Sequence, residues 1–313
     1  GTIYVVPLLH YNKLMKKRLN KTNKVVTVLL MACWIAGCGK TESTADVSLN
    51  TQTAESRADE ENTSVNGKTE SDVAGGAMSG ENGGTVRIAL IDTGLSTQAI
   101  PGENIADGKN YLYPDASTED TYGHGTAVAS VILQYAPDVQ IVPLVSNAYE
   151  DGKIKQVEND TFAEMIKDAV DVYHCQIINI SAGLILDKES VRNAVYYAEE
   201  QGVLIVASAG NDYESNGEAV CYPAAYDTVL SVGALNSAGK EIASFSQRGD
   251  WVDAYAVGEN ITIKTLSGNT RTSEGTSYSA AIVTAEAARL LSSHSEYTPA
   301  DLRMELKKTF AEK

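Results

Sequence analysis

VRIALIDTG, at residues 86–94, sets the pattern for most of the chain. The run 86–91 is short, rich in apolar residues and followed by a turn signal, so it predicts a buried strand that ends at Asp92. Strand-like and helix-like segments alternate from there to the C-terminus. This alternation predicts an α/β domain with a mostly parallel central sheet and helices on both faces.

Apolar spacing predicts the elements that follow this first strand. Strands are predicted at 177–180, 203–207 and 228–232, and helices at 161–173, 191–198 and 277–291, with a last helix after a cap at Thr298. Open α/β sheets bind ligands beyond the carboxyl ends of their strands. We therefore expect reactive side chains where strands end and helices begin.

Three short motifs follow one another in the order Asp, His, Ser. They are Asp-Thr-Gly at 92–94, Gly-His-Gly-Thr at 123–126 and Gly-Thr-Ser at 275–277. Singly, each is explained as well by a turn, a glycine-rich loop or a helix cap. Together they give a chain order in which a known serine peptidase triad occurs.

The residue types of these motifs suit nucleophilic attack on a peptide bond. A serine hydroxyl such as that of Ser277 is a weak nucleophile until a base takes its proton. His124 is the candidate base, because imidazole titrates near neutral pH and can return the proton to the leaving amine. Asp92 is the candidate for orienting the imidazole and stabilising its charged form.

From Val86 to its C-terminus the chain resembles the subtilases, a family of serine peptidases. The three motifs carry the resemblance, and the segments 222–226 and 243–246 agree with it in the right order. The resemblance implies a subtilisin-like fold and polypeptide substrates. It also implies that Asn211, in the segment 206–211, supplies a side-chain donor to the oxyanion of the reaction.

The resemblance further implies a pocket for P1, the substrate side chain before the cleaved bond. Its expected residues are Ser181, Ala182 and Gly183 on one wall, Ala209 and Gly210 on the other, and Cys221 at the floor. The first wall carries Ala182 where the family more often has Leu, and the floor carries a residue larger than usual. We therefore expect a preference for a mid-sized P1 residue.

The chain departs from the family pattern in three places. Residues 127–130 are Ala-Val-Ala-Ser where His-Val-Ala-Gly is usual, and Ala281 stands where the family commonly has Pro. Between Ser130 and Ala136 the chain lacks the inserted loop that wraps a tight calcium site in many subtilases. We predict no metal ligands of that type and no cofactor, and leave open a calcium ion elsewhere.

The charge of the chain is strongly acidic. There are 25 basic and 41 acidic residues, a net charge of −16, which disfavours nucleic acid as a partner. The acidity either concentrates cationic peptides or serves solubility alone. Near the motifs, Asp115, Glu119, Asp120 and Asp212 either favour Lys or Arg in the substrate or belong to solvated loops.

The first 85 residues differ in composition from the rest. Residues 1–14 are interpreted as an upstream extension, and 15–38 as a bacterial lipoprotein signal peptide that ends at Cys38, the expected site of lipid attachment. An alternative is cleavage elsewhere, with Cys38 incidental. Residues 39–85 are polar and lack aromatic residues, which predicts a disordered tether before a peptidase domain at 86–313.

These features together predict a serine endopeptidase, held outside the membrane by a lipid anchor, with the processing of exported peptides as one role. The alternative is a catalytically silent subtilase fold that binds peptides at the cell surface. An esterase is disfavoured because Gly-Thr-Ser-Tyr-Ser at 275–279 is not a Gly-x-Ser-x-Gly elbow. We expect a monomer, with Cys175 and Cys221 as free thiols.

Overall fold

A computed structural model describes residues 85–183 and 187–311. The predicted signal segment, Cys38 and the tether up to residue 84 lie outside the described residues. Among the residues that are described, none of the helices is both long and apolar enough to cross a bilayer.

A seven-stranded sheet forms the centre of the fold. Its order is β2-β3-β1-β6-β7-β8-β9, and every neighbouring pair runs parallel. The strands are β1 (Arg87–Asp92), β2 (Lys109–Asn110), β3 (Gln140–Val145), β6 (Ile177–Ile180), β7 (Leu204–Ser208), β8 (Val229–Leu235) and β9 (Ala254–Val257). The predicted parallel sheet is confirmed, and the β1 predicted from VRIALIDTG lies inside it, between β3 and β6.

Helices cover both faces of this sheet, as predicted. In chain order they are α1 (His124–Tyr135), α2 (Asn159–Asp171), α3 (Glu189–Glu200), the single turn α4 (Tyr213–Asn216), α5 (Thr276–Ser293) and α6 (Pro299–Thr309). One apolar core joins α1, α5 and α6 to one face of the sheet. A second core joins α2 and α3 to the other face.

The side chains of β1 show why this strand is apolar at nearly every position. Ile88 and Leu90 belong to the core of α1, α5 and α6, whereas Ala89 and Ile91 belong to that of α2 and α3. Successive side chains of a strand point to opposite faces, so a central strand needs apolar residues on both. The two charged residues of β1 stand at its ends, Arg87 at the start and Asp92 at the carboxyl end.

In the described part of the chain, two antiparallel hairpins lie outside the central sheet. The first joins β4 (Asn147–Glu150) to β5 (Lys153–Gln156), and the second joins β10 (Ile261–Lys264) to β11 (Thr270–Ser273). Sequence reasoning predicted neither hairpin. The second leads directly into Gly275 and α5, so it delivers the Gly-Thr-Ser motif to the carboxyl edge of the sheet.

The last helix begins as its sequence predicts. Thr298 accepts a hydrogen bond from the backbone N–H of Asp301, and the Asp301 side chain accepts one from the backbone N–H of Thr298. Pro299 occupies the first turn, where its missing N–H costs no helical hydrogen bond. This reciprocal capping fixes the start of α6.

Candidate active site

Asp92 is the last residue of β1 and is almost completely buried. Its side chain accepts a hydrogen bond from the backbone N–H of Thr93 at 2.8 Å, and the residue is 1% exposed. A buried carboxylate needs partners to offset its lost hydration. The second partner comes from α1.

His124 is the first residue of α1 and faces the end of β1. Its Nδ1 lies 2.8 Å from Oδ1 and 2.9 Å from Oδ2 of Asp92. Its Nε2 lies 3.2 Å from Oγ of Ser277, the second residue of α5. The three side chains predicted from the motifs therefore form one hydrogen-bonded row, with the imidazole in the middle.

The environment of His124 raises its pKa above the ordinary value for histidine. Burial by itself lowers this pKa, because it disfavours the charged imidazolium. The negative charge of Asp92, the hydrogen bond that Asp92 accepts from His124 and the charge of Asp120 act in the opposite direction and prevail. The site therefore stabilises the imidazolium that forms when His124 accepts a proton.

Gly125 explains why glycine follows the histidine. A Cβ added to Gly125 would lie 2.3 Å from the carbonyl oxygen of Gly94 and 3.3 Å from Cβ of Asp92. The start of α1 thus approaches the end of β1 so closely that position 125 has no space for a side chain. A side chain here would push His124 away from Asp92.

Asn211 lies beyond the carboxyl end of β7, beside the start of α5. Its Oδ1 accepts hydrogen bonds from the backbone N–H and the hydroxyl of Thr276, both at 2.8 Å. Its Nδ2 lies 3.4 Å from the position of a Cβ added to Gly275, whose φ is +148°. Two bonds to Oδ1 fix the amide, so Nδ2 stands beside the residues that precede Ser277.

The model of the subtilase family, peptidase family S8, matches residues 83–313. The chain belongs to the subtilase family. The matched part of the chain is a subtilisin-like serine peptidase domain, and its substrates are polypeptides.

Named proteases resemble this subtilase along most of its described length. The minor extracellular protease Epr of Bacillus subtilis (strain 168) is 34% identical over 244 residues, which are 74% of this chain and 36% of Epr. Subtilisin Savinase of Lederbergia lenta is 32% identical over 241 residues, 74% of this chain and 85% of that protein. The chain thus spans about a third of Epr and most of Savinase.

A solved structure supports the same fold. A cold-adapted subtilisin-like serine proteinase superposes with a TM-score of 0.63 and 28% identity, over 72% of this chain and 82% of the other. The predicted subtilisin-like α/β fold of the subtilase is therefore confirmed.

The predicted pocket residues of the subtilase follow two neighbouring strands. Ser181, Ala182 and Gly183 come directly after β6, and Ala209 and Gly210 directly after β7. Because β6 and β7 pair in parallel, with Ile180 opposite Ala207, both predicted walls leave the sheet side by side. Their role in binding P1 stays a prediction.

Cys221, the predicted pocket floor, is a buried free thiol. Burial, and then the negative charge of Asp212, raise the pKa of Cys221 to about 12. Cys175 is also free and buried, in the core of α2 and α3, and its pKa is raised to about 12, chiefly by burial. Both thiols are therefore uncharged near neutral pH.

The sequence predicts that the chain lacks an inserted calcium loop between Ser130 and Ala136, and this region is helical. Helix α1 continues unbroken from His124 to Tyr135, so Ser130 to Ala136 form no loop that wraps an ion. Within residues 85–183 and 187–311, no three His, Cys, Asp or Glu side chains are grouped as metal ligands. That no ion is needed stays a prediction, which a melting temperature unchanged by excess chelator would support.

Two residues of the site were missed by sequence reasoning. The hydroxyl of Thr276 donates to Asn211 and accepts from the backbone N–H of Gly210 at 3.2 Å. The hydroxyl of Thr93 accepts from the backbone N–H of Gly125 at 2.9 Å. Their position inside the Gly-Thr-Ser and Asp-Thr-Gly motifs was the available signal.

Both interpretations of Asp120, as a carboxylate that attracts cationic substrates and as part of a solvated loop, are wrong. Asp120 is 3% exposed, and both of its carboxylate oxygens accept hydrogen bonds from the protein. Asp212 is partly exposed, and its carboxylate accepts from Gln247 and Asn216. Of the two, only Asp212 retains a surface that a substrate can approach.

Proposed function

We propose that this chain is a serine endopeptidase in which Asp92, His124 and Ser277 form the triad and Asn211 assists the oxyanion. The observation that carries the proposal is the position of His124, which lies within hydrogen-bonding distance of both Asp92 and Ser277. A binding module has no need of an imidazole held between a buried carboxylate and a hydroxyl.

In the proposed reaction, Oγ of Ser277 attacks the carbonyl carbon of the substrate while its proton passes to Nε2 of His124. Asp92 holds the Nδ1–H and stabilises the imidazolium. The imidazolium then gives the proton to the leaving amine as the peptide bond breaks, which leaves an acyl-enzyme. Water then attacks the acyl carbon while His124 takes its proton. The bond between this carbon and Oγ breaks, the acid leaves, and His124 returns the proton to Oγ of Ser277.

The negative oxygen of the tetrahedral intermediate needs fixed donors. Ser277 stands at the second position of α5, where the free backbone N–H groups and the helix dipole favour negative charge. Nδ2 of Asn211 is the proposed second donor, since Oδ1 is held by Thr276. In a related subtilisin such a side-chain donor is worth about 10²–10³ in turnover.

A fluorophosphonate probe tests this function, because it labels only an activated serine. The full chain should be labelled and should cleave a peptide library, whereas Ser277→Ala should do neither. A folded wild-type chain that is neither labelled nor active would instead support the catalytically silent peptide-binding module.

The pH dependence of kcat/KM should show one acid limb at a pH above the ordinary histidine pKa of about 6.5. Only the neutral imidazole can accept the proton of Ser277, so activity is present above the pKa of His124 and is lost as pH falls through it. Because this pKa is raised, the loss begins at higher pH. Measurement with an uncharged peptide substrate checks this, and a limb at or below the ordinary value would contradict it.

We propose that Cys221 limits the size of the P1 side chain. Cys221→Gly should raise kcat/KM for a Phe P1 substrate relative to a Leu P1 substrate by about tenfold, since a change of one small group in a hydrophobic pocket has this scale. Cys175→Ala is the matched control, because it removes the other described buried thiol. An unchanged ratio in Cys221→Gly, or a strict wild-type preference for Phe or Trp, would refute this pocket assignment.

We further propose that the enzyme acts outside the cytoplasm on exported peptides, as a monomer on a lipid anchor. The signal-like segment 15–38 and the polar segment 39–85 support this, and one relative, Epr, is named as an extracellular protease. In a bacterial host, Cys38→Ala should release activity from the membrane fraction. Activity that stays with the membrane would show that Cys38 is not the anchor.

A further inference from the structure

Asp120 is a buried carboxylate beside the site, and the proposed reaction does not use it. It lies four residues before His124, in a loop that runs alongside the chain just after β1. Backbone hydrogen bonds tie this loop to Leu95, whose N–H donates to Thr118 and whose carbonyl accepts from Asp120. These two bonds join the loop to the segment that follows β1.

Five donors surround the carboxylate of Asp120. Oδ1 accepts from the backbone N–H groups of Gly123 at 2.7 Å and Tyr122 at 2.9 Å, and from the hydroxyl of Thr93 at 3.0 Å. Oδ2 accepts from the backbone N–H of Thr126 at 2.9 Å and from its hydroxyl at 2.7 Å. Neutral side chains of similar size offer too few acceptors for this set.

These donors belong to the start of α1 and to the end of β1, whose separation sets the distance between His124 and Asp92. Gly123 and Thr126 flank His124 at the start of α1, where free N–H groups favour a negative charge. Thr93 follows Asp92, and its hydroxyl also accepts from the N–H of Gly125. One carboxylate thus bonds to the chain on either side of His124 and to the neighbour of Asp92.

We propose that Asp120 is a positioning residue, whose buried carboxylate fastens the helix start that carries His124 to the strand end that carries Asp92. The inference rests on the proposed function, because it concerns the geometry and charge of the same histidine. Asp120 acts through His124 and does not touch the substrate.

Electrostatics give Asp120 a second effect on the same histidine. Two carboxylates act on His124, Asp92 from β1 and Asp120 from the loop. From α5, the histidine is faced by the hydroxyl of Ser277 and by the ring of Tyr278, whose centroid lies 6.4 Å from that of the imidazole. Burial lowers the pKa of His124, and both carboxylates raise it. Loss of the Asp120 charge therefore lowers the pH at which the histidine becomes protonated.

Asp120→Asn in the full chain tests the proposal. Its kcat should fall about 10- to 10²-fold, as expected for a misplaced catalytic group, with KM little changed. The acid limb of kcat/KM should move to lower pH. Asp138→Asn is the matched control, because it makes the same substitution at an exposed carboxylate beyond the end of α1, and it should leave kcat and the limb unchanged. A folded Asp120→Asn with wild-type kcat and wild-type acid limb would overturn the proposal, even if its melting temperature fell.

Thr93→Val keeps the test decisive if Asp120→Asn does not fold. It removes the hydroxyl between Gly125 and Asp120 but keeps the Asp120 charge, so kcat should fall while the acid limb stays in place. A wild-type kcat in this variant would refute the fastening role.

Titration of the His124 ring proton by NMR separates this inference from the proposed function. The resonance is identified among the four histidines by comparison with His124→Gln. Its midpoint should be lower in folded Asp120→Asn than in wild type, even if the chain proves to have no peptidase activity. An unchanged midpoint in an active enzyme would refute the electrostatic effect alone.

Discussion

Ser277→Ala should lower kcat by about 10⁶-fold, the cost that loss of the nucleophile carries in a subtilisin. The loss is large because no acyl-enzyme can form, while the donors to the oxyanion remain and sustain a small residual rate. KM should change little, since the hydroxyl of Ser277 has His124 as its contact in the site. The ratio of kcat values is measured with the same peptide for both enzymes, after the concentration of active wild-type enzyme has been determined by active-site titration.

Ser292→Ala is the matched control for this measurement. Ser292 lies on the same helix, and its hydroxyl donates only to the carbonyl of Ala288 within that helix. Its kcat should equal that of wild type. If Ser277→Ala kept even a tenth of wild-type turnover, in a preparation free of other peptidases, Ser277 would not be the nucleophile.

Asp92→Asn should lower kcat at neutral pH by about 10⁴-fold, the scale seen when this substitution is made in another serine peptidase triad. An amide NH₂ facing Nδ1 of His124 donates to it, so the ring proton moves to Nε2. Nε2 then faces the hydroxyl of Ser277 with a proton and cannot accept another. His124 also loses the charge of Asp92, one of the two carboxylate charges that raise its pKa, so its protonation should shift to lower pH.

Asp171→Asn provides the control for the loss of one negative charge. Asp171 is the last residue of α2, which packs on the face of the sheet away from α1 and α5. Its carboxylate accepts a hydrogen bond from the hydroxyl of Tyr197. This variant should keep wild-type kcat and pH profile. An Asp92→Asn enzyme within tenfold of wild type would remove Asp92 from the mechanism, and with it the assignment of the triad.

The central strands could be predicted from the sequence because they are buried on both faces. Strands β1, β6, β7 and β8 carry nearly continuous apolar residues, a pattern that solvent-exposed strands do not need. The order of the three motifs likewise predicted which side chains would meet. The spacing of the motifs along the chain did not predict the distances between these side chains, because those distances depend on how closely α1 and α5 approach the edge of the sheet.

The outer hairpins were harder to predict, although one carried a signal. Asp151 and Gly152 join β4 to β5 with positive φ angles of 52° and 75°, and Asp-Gly is a favoured hairpin turn. The flanking residues are mostly polar, so apolar alternation did not mark the strands. Sequence-based prediction of this element required weighing the turn above the hydrophobic pattern.

Asp120 shows the limit of reasoning from composition. It lies within the largely polar segment 115–121, which suggested an exposed carboxylate. Only the folded chain supplies donors from Thr93, distant in sequence, and from the start of α1. Burial of a charged residue depends on such partners, which local sequence does not reveal.

The position of α5 in the chain controls when the enzyme can first cut. Synthesis on the ribosome proceeds from the N-terminus, so β1 and α1 emerge well before the helix that packs across β6 to β9. A nascent chain that has reached β9 already contains Asp92 and His124 but not Ser277, the proposed nucleophile. With Ser277 as the proposed nucleophile, the growing polypeptide therefore cannot cleave itself before α5 is translated.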